Sequence, residues 1–378
     1  MPDRPRRTAP SVFLSLTIAG ILAGLALTAG GCATSGRSAS QRMGASSLDS
    51  VELRRLGYAT RWIYQTASAR GGNGITFASV NDDTLLLIEG DDNMVTSVDA
   101  RDGSFRWKAK VGPDMVRLAG ATLYRDSVFV VSNDRVFQLD ANTGGDIAYA
   151  SLPQPVNTPA ARSGGFAVYG GANGLIFGMD LQTFLPRWRY RFAGRIAAQP
   201  LIVDDTAYVA DAVGNYGAFA LTTGSLAYRN RVFGAVHATP TAHADLLLLP
   251  SADRTLYALD RATGRDRWTY RTEAPLKESA VSAGDLILLR VPGRGLVALD
   301  ADGGERWTAD ADFKPIGAAG ADCLVYDAQG LKRLDPADGR VIAAASVQRP
   351  VRMIDAGNGS LILEQANGQL VRLDPIRR

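Results

Sequence analysis

Ala258-Leu259-Asp260-Arg261-Ala262-Thr263-Gly264-Arg265-Asp266-Arg267-Trp268 reads as strand, tight turn, strand. Leu256 and Ala258 alternate with Tyr257 and Leu259 up to Asp260. Thr263-Gly264 supplies the turn, where glycine accepts a positive φ without a Cβ clash. Trp268 then starts a strand that continues as Thr269-Tyr270-Arg271.

The chain repeats this stretch. Its aspartate recurs as Asp99, Asp140, Asp180, Asp260, Asp300, Asp335 and Asp374, with Ala220 in the slot between Asp180 and Asp260. The spacings are 41, 40, 40, 40, 40, 35 and 39 residues. Glycine follows by four at Gly103, Gly144, Gly224, Gly264 and Gly339, and by three at Gly303. Tryptophan follows by eight at Trp107, Trp188 and Trp268 and by seven at Trp307, while Tyr228 takes that slot after Ala220. Eight units of about forty residues predict an all-β fold, an eight-bladed propeller of four-stranded antiparallel blades.

The repeat begins out of phase. Arg61-Trp62-Ile63-Tyr64 matches Arg187-Trp188-Arg189-Tyr190, so it is the last strand of a blade with nothing before it. At the other end Leu370-Val371-Arg372-Leu373-Asp374 is a third strand with no fourth. Joining the two ends in one blade removes both exposed sheet edges, so the N-terminal strand is expected to close the ring. All five tryptophans, Trp62, Trp107, Trp188, Trp268 and Trp307, then occupy one structural slot.

Each unit carries a second apolar run ahead of the marker, such as Leu85–Ile88, Leu246–Leu249 and Leu286–Leu289. Runs of this length predict strands buried on both faces. A short innermost strand precedes each run and is introduced in three repeats by Pro159, Pro200 and Pro240, proline being suited to a first strand position. No helical periodicity is visible beyond the first thirty residues.

Residues 1–31 stand outside the repeat. Arg4, Arg6 and Arg7 precede an almost unbroken apolar run from Val12 to Ala29, and Ala29-Gly30-Gly31 precedes Cys32. That is the pattern of a secretory signal peptide, with a retained membrane span as the other reading of the run. Small residues before a cysteine resemble the lipobox of bacterial lipoproteins, with alanine in place of leucine three residues before Cys32. The resemblance implies cleavage before Cys32 and lipid attachment to its thiol. Ala33 follows, with no aspartate to signal inner-membrane retention, so the resemblance places the anchor in the outer membrane, facing the periplasm. Residues 32–49 are then the lipidated cysteine and a polar, Ser- and Gly-rich tether, and residues 50–378 the propeller.

The other cysteine, Cys323, lies in the apolar run Cys323-Leu324-Val325-Tyr326 and is expected in the core. With Cys32 lipidated no structural disulfide is available, and about 330 residues are enough for a core of their own. The formal charge is +3, of which the three arginines and one aspartate of residues 1–31 supply +2. A nearly neutral domain carries no electrostatic footprint for nucleic acid, and arginines spread over every repeat read as a solvated surface.

The motif Ala258-x-Asp260-x-x-Thr263-Gly264-x-x-x-Trp268 resembles the tryptophan-docking motif of the pyrroloquinoline quinone (PQQ)-type repeat, from about Tyr58 to the end of the chain. That repeat occurs in quinoprotein dehydrogenases and in the BamB lipoproteins of the outer-membrane β-barrel assembly machinery. Lipobox, tether, eight units and mature length are similar to BamB. The resemblance implies a monomeric, non-enzymatic scaffold, without cofactor, that binds a BamA-like barrel subunit. It leaves open another periplasmic binding propeller or a quinone-dependent dehydrogenase.

A quinone dehydrogenase needs a general-base aspartate and a calcium site, and commonly a disulfide of adjacent cysteines over the cofactor. The chain has no adjacent cysteines. Its repeated aspartates precede tight turns, where a carboxylate accepts backbone N–H bonds. Asp91-Asp92-Asn93 suggests a cation site but sits where other units have turns. His237 and His243 are the only histidines and form no zinc pattern, and neither a nucleophile motif nor a phosphate loop is present.

Propellers present their inter-blade loops on one face. In BamB proteins a basic loop before an inner strand contacts BamA, and Ala193-Gly194-Arg195 ahead of Pro200 matches it, which makes Arg195 the candidate partner-binding residue; the alternative is an ordinary surface arginine. The family's next loop carries an acidic pair, and Gly234-Ala235-Val236-His237 does not.

Overall fold

The computed structural model describes residues 50–66, 74–90, 92–114, 116–152, 154–309, 312–347 and 350–376. The signal peptide, Cys32, the tether and Asp91 lie outside the described residues. Each repeat is a four-stranded antiparallel meander, and there are eight such sheets. Blades 1 to 7 follow chain order and span residues 75–110, 118–151, 161–191, 201–231, 241–271, 281–309 and 314–346. Blade 8 takes three strands from residues 350–375 and its fourth from Tyr58–Gln65. In that closing pair Trp62 is opposite Arg372, Ile63 opposite Val371 and Tyr64 opposite Leu370.

The burial of each strand follows its apolar pattern. Second strands such as Thr84–Glu89 and Leu246–Ser251 are buried at every position, because neighbouring blades cover both faces. Fourth strands such as Asp266–Arg271 are mostly exposed and form the rim. Innermost strands shrink to three residues in blades 3 to 6, as in Leu201–Val203 and Thr241–His243. Pro200 and Pro240 end the loops just ahead of these two strands rather than occupying the first strand position expected of them. Cys323 is buried in the core, and burial pushes its thiol up to about 11.

The tryptophans cross the seams between blades. Trp62, Trp107, Trp188, Trp268 and Trp307 donate from Nε1 to the carbonyl oxygens of Ala100, Ala141, Leu221, Ala301 and Pro336, at 2.7–2.8 Å. Every acceptor directly follows a marker position of the next blade. Tyr228 does the same through its hydroxyl, to the Arg261 carbonyl at 3.2 Å. Trp62 belongs to blade 8 and docks on blade 1, so the same contact that joins consecutive blades also closes the ring.

The markers shape the turns that receive these rings. Asp140 Oδ1 accepts from the backbone N–H groups of Asn142 and Thr143 and from the Thr143 hydroxyl, and Asp260 Oδ1 accepts from the Thr263 N–H and hydroxyl. Asp180 accepts from the Gln182 and Thr183 amides, Asp300 from those of Asp302 and Gly304, and Asp335 from that of Ala337. Asp99 accepts from the Arg101 amide in the same way and also holds the Arg101 and Arg106 guanidinium groups, while Asp374 holds Arg372.

Two seams lack the aromatic ring. Blade 2 offers Ala148 at the slot, and there the receiving turn carries Phe184 in place of glycine. Phe184 adopts φ 58° and packs its ring 5.5 Å from Phe129 of blade 2, so the seam is filled from the opposite side. Blade 7 offers Ala343, and that seam is filled by a helix, Ser50–Arg55, whose Leu53, with Leu56 just beyond it, lies in the cluster with Leu331, Ala345, Val347 and Leu373. Glu52 Oε2 accepts from the Ser346 N–H at 2.7 Å, and Arg333 Nη1 donates to the Leu56 carbonyl at 3.1 Å. The helix corrects the expectation of no helix after the signal. Six residues make fewer than two turns, too few for a 3.6-residue period to show.

Candidate functional site

The inter-blade loops of blades 3 to 5 share one construction. Ile196, Val236 and Leu276 are buried plugs spaced by forty residues, and their amides donate to the carbonyls of Gly171, Asp211 and Ser251 at 3.0–3.2 Å. Phe192, Val232 and Thr272 open the loops, with amides bonded to Gly174, Gly214 and Arg254 at 2.8–2.9 Å. Between the two clamps lies a three-residue tip whose first residue is exposed in each loop: Ala193-Gly194-Arg195, Phe233-Gly234-Ala235 and Glu273-Ala274-Pro275. The scaffold is constant and the tip chemistry varies, which is how binding loops are built on rigid folds.

Asp211 fixes the first tip. Fully buried, it accepts from the amides of Gly194, Val213 and Asn215 at 2.8–3.0 Å and from Asn215 Nδ2 at 2.7 Å. The Arg195 carbonyl accepts from Ala212 N–H at 2.9 Å. Its backbone is therefore set, while its side chain is exposed and, among the described residues, makes no hydrogen bond or ion pair.

Phe233, which the sequence reading passed over, is 93 % exposed. The signal lay in comparing tips across repeats, since Ala193, Phe233 and Glu273 hold one position and differ completely. His237 is exposed on the same loop. His243 is buried on the inner strand of blade 5, with Nδ1 2.8 Å from Ser282 Oγ, and burial lowers its pKa.

The tips and the marker aspartates sit at opposite ends of the outer strands. Each outer strand starts at a marker turn and ends at an inter-blade loop, so Arg191, Arg231 and Arg271 end on the loop face and Asp180 and Asp260 lie on the other. A mixed cavity of about 810 Å³ is lined by blade 1, the innermost strand of blade 2 and the loop into blade 3, through Phe77, Ile88, Arg117, Leu118 and Asn157 among others. Asn93, beside Asp91-Asp92, sits in a turn with φ 55° and donates from Nδ2 to the Pro113 carbonyl at 2.8 Å. Among the described residues no group of three or more His, Cys, Asp or Glu side chains converges as metal ligands would.

Comparison with known proteins places this geometry in context. The family model described as outer membrane protein assembly factor BamB matches residues 52–147 and 186–374. The stretch it skips holds Ala148 and Phe184, the seam where ring and glycine have been exchanged. The outer membrane protein assembly factor BamB of Burkholderia pseudomallei (strain K96243) is 29 % identical over 210 residues. That alignment covers 53 % of this chain and 53 % of the relative, so it spans about half the relative's length. Among solved structures, BamB from Moraxella catarrhalis superposes with a TM-score of 0.67 at 20 % identity, covering 84 % of this chain and 97 % of that one. Quinohemoprotein alcohol dehydrogenase from Comamonas testosteroni superposes with a TM-score of 0.66 at 13 % identity, covering 88 % and 78 %. At such identities both likenesses speak for the fold alone.

Proposed function

The chain belongs to the family of the outer membrane protein assembly factor BamB, and from that premise we propose that it is a non-enzymatic scaffold of the outer-membrane β-barrel assembly machinery. In this reading residues 1–31 direct export, Cys32 carries the lipid, and residues 33–49 tether the propeller to the periplasmic side of the outer membrane. The loop face then binds a BamA-like subunit, with Arg195 among the contacts.

The observation that carries the reading is the set of inter-blade tips. Three loops of one construction hold their backbones by buried plugs, the first also by the buried Asp211 carboxylate, while their tips vary. Such a surface is preorganised, so little conformational entropy is lost on binding. Arg195, unpaired on a fixed backbone, suits a carboxylate of a partner, to which arginine can make two parallel bonds.

The test is recovery of a BamA-like barrel protein from detergent-solubilised envelopes with the wild-type chain as bait. Arg195→Glu should lower that recovery and leave the thermal midpoint nearly unchanged, as exposed substitutions do. Cys32→Ser should abolish fatty-acid labelling, because serine offers no thiol. A quinone enzyme of the same fold would betray itself by bound-quinone absorbance and calcium-dependent dye reduction with alcohols. Turnover of that kind would overturn the scaffold reading.

A further inference from the structure

We propose that Phe233 is the anchor of the loop face, inserting in the bound state into an apolar pocket on a protein partner whose rim carries carboxylates. The proposal rests on the scaffold reading and names the chemistry by which that surface recognises its partner.

Phe233 is 93 % exposed, whereas the next most exposed large apolar side chain among the described residues, Tyr149, is 63 % exposed. A phenylalanine held almost wholly in water forgoes the stabilisation of burial, which covering it with a partner would recover. Nor is the tip slack. The Ala235 carbonyl accepts from the Ala252 N–H at 2.9 Å, and on the same adjoining turn the Tyr257 hydroxyl donates to Asp253 Oδ2 at 2.6 Å. Val232 and Val236 on either side are 3 % and 0 % exposed. A Cβ added at Gly234 would stand 2.6 Å from the Asp253 backbone nitrogen, so the tip is seated directly on the next blade. The ring is thus presented by a fixed backbone, the condition under which an aromatic anchor gives most affinity.

Its surroundings define the partner. A Cβ at Gly214 would meet the carbonyls of Val232 and Gly234, and one at Gly194 would meet Cγ2 of Val213. Arg195, Val213 and Phe233 therefore form one continuous strip, with Val213 42 % exposed. Arg231 reaches into it, donating from Nε to the Val213 carbonyl at 3.3 Å, and Arg254 is exposed on the adjoining turn. Two of the nearby carboxylates point inward, Asp211 held by backbone amides and Asp253 by Tyr257, and the exposed Glu273 stands one loop further on. An apolar centre ringed by arginines is complementary to a pocket with an acidic rim. An anionic bilayer would take the same charge, but among the described residues of this strip Phe233 and Val213 are the exposed large apolar side chains that could enter it, which favours a preformed protein pocket.

The experiment uses the full chain in detergent and, as probe, the purified periplasmic region of the BamA-like subunit from the same organism. Phe233→Ala should weaken binding by about tenfold or more, Phe233→Leu should restore most of it, and both should melt with the wild type. Affinity should also fall with added salt, and less steeply for Arg195→Glu. If the wild type binds and Phe233→Ala binds equally well, the scaffold reading stands and the anchor is refuted. If the wild type does not bind the probe, the scaffold reading falls and the anchor with it. If Phe233→Ala keeps the probe but, in a Cys32→Ser background, loses phosphatidylglycerol vesicles, the surface faces lipid and the proposal is overturned.

Discussion

Gly144 of blade 2 lies against the indole of Trp107 of blade 1, so close that a Cβ there would stand 2.5 Å from Cε3 of the ring. The same holds for Gly103 on Trp62 at 2.8 Å, Gly224 on Trp188 at 2.4 Å, Gly264 on Tyr228 at 2.3 Å and Gly339 on Trp307 at 2.6 Å. Glycine is required here twice over, because Gly144 also has φ 72°. Gly144→Ala should therefore destabilise by more than an ordinary turn substitution, on the order of 2–3 kcal/mol. Alanine at Gly164, which has φ 52° but nothing within 4 Å of its Cβ position, should cost only the backbone strain, about 1 kcal/mol. Equal losses at the two sites, measured by denaturant unfolding, would show that the ring contact contributes nothing.

The seam between blades 2 and 3 supports a sharper test. Ala148 and Phe184 are a swapped version of the tryptophan and glycine found elsewhere, and Phe184 is held at φ 58°, unfavourable for a bulky residue. Phe184→Gly alone removes a half-buried ring but relieves the positive φ, and should cost about 1–3 kcal/mol. Ala148→Trp alone should clash with Phe184 and also destabilise. The double variant restores the common pair and should recover most of both losses, a large coupling in a double-mutant cycle. Additive losses would mean that the two residues do not share the seam.

These residues also mark the limit of what the sequence conveys. The forty-residue marker, the tryptophan slot and the strand missing from each end are patterns within one repeat or between the two ends, and they predict blade number and closure directly. The exchange of Ala148 and Phe184 is invisible until it is known that a ring of one blade meets the turn of the next, a contact between repeats. The helix Ser50–Arg55 acts through Leu53, with Leu56 beside it, on blade 7, which lies some 290 residues away along the chain. Phe233 is an apolar residue in an apolar neighbourhood, and only the burial of Val232 and Val236 on either side shows that it points outward. Arg195 was legible by resemblance, but its fixed backbone depends on Asp211, a carboxylate in the blade 4 turn that no motif singles out.

Acid should unfold the ring through its marker turns. A hydrogen bond from the Thr143 hydroxyl holds Asp140 below the usual carboxylate range, and the Thr263 hydroxyl does the same for Asp260. Asp99 is held well below that range, first by its bond from Arg101 and then by Arg106. A carboxylate whose folded pKa is depressed contributes stability above its unfolded pKa, about 3.9, and loses it as pH falls through the folded value. The thermal midpoint should slip as pH falls through about 6.5, where the unfolded chain takes a proton on His243 that the buried imidazole resists, and fall more steeply below about pH 4. Asp99→Asn should lower the midpoint at neutral pH and flatten the acid limb. An acid limb of unchanged slope in Asp99→Asn would remove this aspartate from the explanation.

Closure of the ring makes the last prediction. The strand Tyr58–Gln65 pairs with Gln369–Pro375 although some 310 residues separate them, and Trp62 carries the bond from blade 8 to the Ala100 carbonyl of blade 1 at 2.8 Å. Three deletions should therefore rank by what they strip from the propeller. Removing residues 33–49 takes only chain expected to be tether, and the midpoint should not move. Removing residues 33–57 also takes Leu53 and Leu56 from the blade 7 seam, two buried leucines each worth about 2–5 kcal/mol. Removing residues 33–64 leaves Gln369–Pro375 as a bare edge and empties the Trp62 pocket, which should bring aggregation or a far lower midpoint. Trp62→Ala keeps the strand and should fall between the first deletion and the third. Cysteines at Ile63 and Val371, which are paired in the register, should crosslink within one chain, and cysteines at Ile63 and Leu373 should not. If the three deletions melt together and the Ile63–Val371 pair stays reduced under oxidation, the first strand does not close the ring.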